Sequence, residues 1–213
     1  MLLTTFLALA TATLTSAIGV SITPHDRYSS SVGVLGCHID TNRVAYWPMA
    51  VDCNNTCVRV SYGDRSVHLL RIDQSGGAYD ISYDAWNYLY TGSSATTNPV
   101  ACGGIWMDYE TTTAENCVSL IRTPSQKLPL SAANSMNYVA ICLGQQNSWV
   151  AQNHELRNIL DPTCTRGYDE ICSLNMNVSN QPSCLHLLGV PAALTGKPVI
   201  DVLYPTGHQV VAP

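Results

Sequence analysis

Between residues 32 and 123 the apolar positions come in short, strand-like runs. The segment "CVRVSYG" (57–63) alternates apolar and polar residues, the period of a half-buried strand. "SVHLLRID" (66–73) is a second β-rich run bounded by Gly and Asp, and "GGIWMDYE" (103–110) is a third, entered through a Gly pair. The pairs Gly76-Gly77 and Gly103-Gly104 permit positive φ and close chain approach. Between the second and third runs the spacing turns helical. In "DISYDAWNYLYTG" (80–92), Ser82 is positioned as N-cap, Asp84 falls in the first turn and Gly92 ends the segment. Ile81, Ala85 and Leu89 then share a face with Trp86 beside them, which predicts a short helix over 82–90 with Ala85, Trp86 and Leu89 buried.

From residue 124 the character changes. "TPSQKLP" (123–129) is linker-like, and "LSAANSMNYVAICLG" (130–144) has helical propensity with Gly144 as its stop. "NSWVAQNHELRNILDP" (147–162) predicts a second helix ended by Pro162. The remainder, with Pro at 182, 191, 198 and 205, is expected to be loop-rich. No repeat of fixed period is present.

Composition places the chain outside the cytosol. Residues 1–17 carry no ionisable side chain and end in Thr15-Ser16-Ala17, the pattern of a secretory signal, and the run is too short for a membrane span. All nine Cys (37, 53, 57, 102, 117, 142, 164, 172 and 184) follow it, which predicts four intramolecular disulfides and one unpaired thiol, free or bridged to another molecule. Cys53-x-x-x-Cys57 lacks a second ligand pair at zinc-finger spacing, so no metal is expected. The sequons at Asn54 and Asn177 fit a secreted glycoprotein. A net charge of -5 argues against nucleic acid and anionic membranes. Only 12% of residues are charged, while Ser, Thr, Asn and Tyr abound, a surface suited to neutral, hydroxyl-rich partners.

The order of these segments resembles a known family. "Cys57-Val-Arg-Val", "Val-His-Leu-Leu-Arg-Ile-Asp73-Gln74", the Gly pair, "Ala-Tyr-Asp80-Ile-Ser", "Ala85-Trp86" with Leu89, and "Gly104-Ile" with Tyr109 and Cys117 are similar to the double-psi β-barrel of expansins, barwin-like and RlpA-like proteins and family-45 endoglucanases. The whole chain resembles small secreted fungal proteins that carry this barrel. The resemblance implies a mainly β fold: a leader at 18–31, a six-stranded double-psi barrel at 32–123, and a disulfide-rich helical and loop extension at 124–213 packed on it. Asp80 then matches the acid of the expansin His-Phe-Asp motif and Tyr79 its Phe, while Ala78 replaces the His and Ser75 a common Cys. In the endoglucanases a second carboxylate follows Tyr-Trp; here Tyr46-Trp47 is followed by Pro48.

Inverting glycoside hydrolysis needs an acid and a base about 6.5–9.5 Å apart. If Asp80 is the acid, the base must be Asp40, Asp52, Asp73 or Asp108, none of which stands in a motif for that role. A lone carboxylate still suffices for a lytic transglycosylase. The expected binding residues are Asp80 and Asp73, with Tyr46, Trp47, Tyr79, Tyr83 and Trp106 as sugar-stacking aromatics. Asp73 is equally a strand-end residue closing the Gly turn, and Asp80 a turn carboxylate. No Gly-x-Ser-x-Gly, His-Glu-x-x-His or phosphate loop occurs, and the six His are scattered. Three functions compete. The first is a non-hydrolytic expansin- or effector-like protein that binds cell-wall polysaccharide, without cofactor and as a monomer. The second is a weak glycan-cleaving enzyme using Asp80, and the third a barwin-like or inhibitory module binding a host extracellular protein.

Overall fold

The computed structural model describes residues 17–213. Of the signal-like segment 1–17, residues 1–16 lie outside the described residues. Six strands close a barrel: β1 (Ile18–His25), β2 (Val44–Trp47), β3 (Cys57–Tyr62), β4 (Arg65–Gln74), β5 (Tyr79–Ser82) and β6 (Ile105–Thr112). Their order around the barrel is β1-β5-β2-β4-β3-β6. The β1·β5 and β2·β4 pairs are parallel; the other four are antiparallel. Closure leaves no free sheet edge on these strands.

The barrel begins earlier than the sequence pattern suggests. Residues 18–25, expected to be a leader, form β1 and pair with both β5 and β6. Val20 and Ile22 alternate with Gly19, Ser21 and Thr23, but the Gly and Pro24 dilute the periodic signal.

Strand alternation divides the apolar residues between two cores. Ala45, Trp47, Val58, Val60, Leu69, Ile81 and Met107 fill the barrel. The helix α1 (Tyr83–Thr91) adds Ala85, Trp86 and Leu89, all wholly buried, as its periodicity predicts. Trp86 satisfies its indole N–H on the Ile22 carbonyl, and Gly92 ends the helix at φ 83°. Ser82 occupies the cap position, yet its hydroxyl is buried without a partner among the described residues. Asp84 ties the helix down instead, accepting from Ser94 and the Ala95 N–H and pairing with Arg43.

The outer faces of β2 and β4 are apolar too. Val44, Tyr46, Leu70 and Ile72 pack against Leu130, Val139, Leu156 and Ile159 of the C-terminal half. One core therefore spans both halves, and Cys37–Cys164 and Cys53–Cys142 cross-link them. Cys57–Cys117 and Cys172–Cys184 complete four disulfides, leaving Cys102 free and exposed.

The C-terminal half departs from expectation. After β7 (Leu128–Ser131) and α2 (Met136–Leu143), the expected second helix is a single turn, α3 (Trp149–Gln152). Residues 154–159 form β8, parallel to β7 and antiparallel to β9 (Gly167–Cys172). Pairing on both sides outweighs the weak helical propensity of "HELRNI". The tail is not wholly loop either: β10 (Ile200–Val202) and β11 (Gln209–Val211) form a hairpin.

Candidate functional site

The register brings Asp80 and Trp106 to one surface. On β1, Val20 and Ile22 face inward, so Gly19, Ser21 and Thr23 face out. On β6, Met107 and Tyr109 face inward, so Trp106, Asp108 and Glu110 face out. Ser21 lies opposite Trp106 and Gly19 opposite Asp108, while Thr23 lies opposite Asp80 on β5. The Thr23 hydroxyl donates to the Asp80 carboxylate. Trp106 is 69% exposed, by far the most accessible of the expected aromatics.

Glycine sets the attitude of that ring. A methyl group on Gly19 would stand 2.5 Å from the Trp106 Nε1 and 3.1 Å from its Cε2, so the indole lies against the backbone of β1. Gly104 likewise keeps clear the space above Ser21 and Thr23: a Cβ there would meet the Ser21 Oγ at 2.6 Å. The result is a smooth face of small hydroxyl residues bearing one flat aromatic, with Asp80 on one side and Asp108 on the other. Outward along β6, Glu110 pairs with Arg59 at 3.0 Å.

The other expected binding residues lie elsewhere. Tyr46, Trp47 and Tyr83 are buried at 4%, 1% and 1% exposure, so no sugar ring can stack on them. Tyr46 belongs to the core between the halves, and Tyr83 bonds through its hydroxyl to the Val100 carbonyl. Tyr79 is half-buried and turned inward, its ring 5.3 Å from Trp47 and 5.4 Å from Tyr109. Asp73 is structural: it accepts from the Ser29 hydroxyl and the Ser31 N–H, pinning the chain after β1 to the end of β4.

Beside the inward tyrosines sits Arg71, which the sequence reading did not single out. It is 6% exposed and donates to the carbonyls of Ala50, Asn55 and Met49, holding loop 48–56 in place. Burial lowers its pKa below the usual guanidinium range, against the opposing pull of Asp52. Burial also raises the Tyr109 hydroxyl, reinforced by its bond with Tyr79.

Of the carboxylates proposed as partners for Asp80, Asp73 lies nearest: both stand opposite Tyr46 of β2, so two strand spacings of about 4.8 Å put their backbones about 10 Å apart. Asp40 pairs with Arg122, and Asp52 receives the N–H groups of Asn54 and Asn55. Asp108 does share the outer face. It stands two strands across and four residues along from Asp80, so strand spacings of about 4.8 Å and 3.3 Å per residue put the two backbones about 16 Å apart.

Two further features escaped the sequence reading. A cleft of about 750 Å³ opens where β6, the 3-10 segment Ala114–Leu120 and α3 meet. Thr112, Asn54, Asn147, Gln152 and Trp149 are among its lining. In the C-terminal half, Asp169 accepts from His38 Nε2 at 2.7 Å and Arg157 Nη1 at 2.6 Å, and Arg157 Nε donates to Glu155 at 2.6 Å. Burial pushes the His38 pKa down and outweighs Asp169. Burial also opposes ionisation of Asp169, but His38 and Arg157 prevail and hold it below its usual value. The only trace of this network in the sequence is the alternation of His154-Glu155-Leu156-Arg157, which suits a strand as well as a helix.

No protein-family model matches the chain, and no curated protein sequence matches it either.

Proposed function

We propose that this is an extracellular, non-hydrolytic polysaccharide-binding protein built on an expansin-like double-psi β-barrel. The observation that carries the reading is Trp106, an exposed indole packed through its Nε1 edge against Gly19 in a field of Ser21, Thr23 and two carboxylates. An aromatic face accepts the C–H face of a pyranose, and ionised oxygens beside it accept sugar hydroxyls. Six closed strands with two parallel pairs are compatible with the double-psi arrangement. Four disulfides fit an oxidising compartment.

Binding without turnover is supported by the surroundings of Asp73, the acid nearest Asp80, which is 9% exposed and already accepts from the Ser29 hydroxyl and the Ser31 N–H. About 16 Å between the Asp80 and Asp108 backbones exceeds the roughly 6.5–9.5 Å that inverting hydrolysis uses. The test is retention on insoluble cellulose, chitin and peptidoglycan, with soluble sugar measured in the same tubes. Trp106→Ala and Asp80→Asn should each lower retention of the bound polymer about tenfold, since charged hydrogen bonds and ring stacking contribute about 1–2 kcal/mol each. Sustained, Asp80-dependent sugar release would overturn the reading in favour of an enzyme.

One observation favours a protein partner instead. Ile171, Met176, Val178, Leu185 and Leu187 are exposed around the Cys172–Cys184 loop, more apolar surface than such a short segment usually shows. Retention on no polysaccharide, with Trp106→Ala behaving as wild type, would bring that reading forward.

A further inference from the structure

Thr56 presents a puzzle in the folded protein. It is 1% exposed, and its hydroxyl has no hydrogen-bond partner among the described residues. A buried, unpaired hydroxyl is a net cost that Val, of the same shape, would avoid. No described residue uses that oxygen. The residue two positions earlier, Asn54, is exposed and lines the 750 Å³ cleft. Together they spell Asn54-Asn55-Thr56, in which the hydroxyl at the third position is what an N-glycosyl transferase requires.

We infer that Asn54 carries an N-linked glycan added before folding buries Thr56, and that the first sugars of this glycan lie in the cleft. In the coupling, Asn54 Nδ2 bonds to C1 of an oligosaccharide supplied as a lipid pyrophosphate. The C1–O bond breaks, the lipid pyrophosphate leaves with its electron pair, and one amide proton passes to a base of the transferase. The folded geometry accommodates the product. Asn54 Oδ1 accepts the Trp149 N–H at 3.0 Å, which occupies the oxygen and leaves the nitrogen as the attachment point. Asp52 receives the N–H groups of Asn54 and Asn55 and rigidifies the turn.

The cleft suits a sugar. Asn147 and Gln152 offer amides, Thr112 a hydroxyl, and Trp149 a half-buried aromatic ring. Amides that both donate and accept match hydroxyls and N-acetyl groups, and the ring supplies an apolar floor. This inference is independent of the Trp106 face: a glycan held at Asn54 fills the cleft with the protein's own sugar and leaves the outer face open.

The experiment uses the full chain secreted from a eukaryotic host. Peptide mass spectrometry should find the Asn54 peptide glycosylated, and an unmodified peptide overturns the inference. Removal of the Asn54 glycan by an amidase should be at least tenfold slower on native protein than on unfolded protein, and Trp149→Ala should abolish most of that protection. Equal rates in both states would overturn placement of the sugar in the cleft. Asn54→Gln also disturbs the contact with Trp149, so Thr56→Val is the decisive variant. It should lose the modification while its thermal midpoint, compared with unglycosylated wild type made with lipid-linked oligosaccharide synthesis inhibited so that Asn54 stays an amide, is equal or higher. A lower midpoint would show that the hydroxyl serves the fold and sink the argument. Polysaccharide retention by Thr56→Val should equal that of wild type, so failure of the outer-face reading and failure of this one are told apart.

Discussion

Gly19→Ala isolates the geometry of the Trp106 platform from its chemistry. The substitution keeps the indole but places a methyl 2.5 Å from Nε1, so the ring must lift off β1. It meets the far end of an exposed side chain, which can swing into solvent. About 31% of Trp106 is covered in the native state, the complement of its 69% exposure. For a side chain of about 250 Å² that is about 80 Å², or at most about 2 kcal/mol at ~25 cal/mol per Å². Replacing Gly by Ala in a strand returns about 0.5–1 kcal/mol. The expected net loss of stability is therefore about 1 kcal/mol. Binding should suffer more in proportion: a sugar covering about 60 Å² of a correctly presented ring contributes about 1.5 kcal/mol, close to one decade in affinity. Depletion isotherms on the polymer that wild type binds, run beside denaturant unfolding, measure both quantities. Retention within twofold of wild type, with an intact fold, would refute the claim that the ring must pack against Gly19.

Other perturbations probe the scaffold. Arg71→Met should cost about 2–4 kcal/mol by denaturant unfolding, because it strands the carbonyls of Ala50 and Asn55, and it should increase proteolysis in loop 48–56. Removing Cys37–Cys164, which spans 127 residues, should cost about 5 kcal/mol on chain-entropy grounds, against about 3 for the 12-residue Cys172–Cys184 loop; Cys102→Ser should be neutral. Acid should weaken the fold in two stages. His38 is held below its usual 6.5 by burial, so it is protonated more readily when unfolded and its contribution is lost as pH falls below that value. Glu170, whose bonds to His186 and Asn158 outweigh desolvation and lower it from 4.5 to about 2, and Asp169, likewise lowered, stabilise fully above about 4.5 and lose their contributions toward pH 2. Unfolding midpoints measured from pH 8 to 2 should fall in that order, and a midpoint flat below pH 6 would contradict it.

Several features were legible along the chain because they depend on near neighbours. The alternation in 57–63 and 66–73 marks β3 and β4, and the spacing of Ala85, Trp86 and Leu89 marks α1. The count of nine Cys implies four bridges and one thiol, and the arrangement bears that out with Cys102 left over. Trp106, as an aromatic, and Asp80, through the family resemblance, are expected binding residues, and they share a face.

The tertiary structure decided what depends on distant partners. Tyr46, Trp47 and Tyr83 have aromatic rings as suitable for sugars as Trp106, and only the two cores reveal that theirs are enclosed. Residues 18–25 and 154–159 carry weak local preferences, so pairing with β5 and β6, and with β7 and β9, settled their state. Which cysteines meet, across separations of 12 to 127 residues, is equally invisible to local pattern. The same holds for Gly19 beneath Trp106, 87 positions apart in number but diagonal neighbours on the paired strands β1 and β6. Periodicity records which face of a strand is apolar; only closure of the barrel and docking of the second half determine which faces meet each other and which meet water.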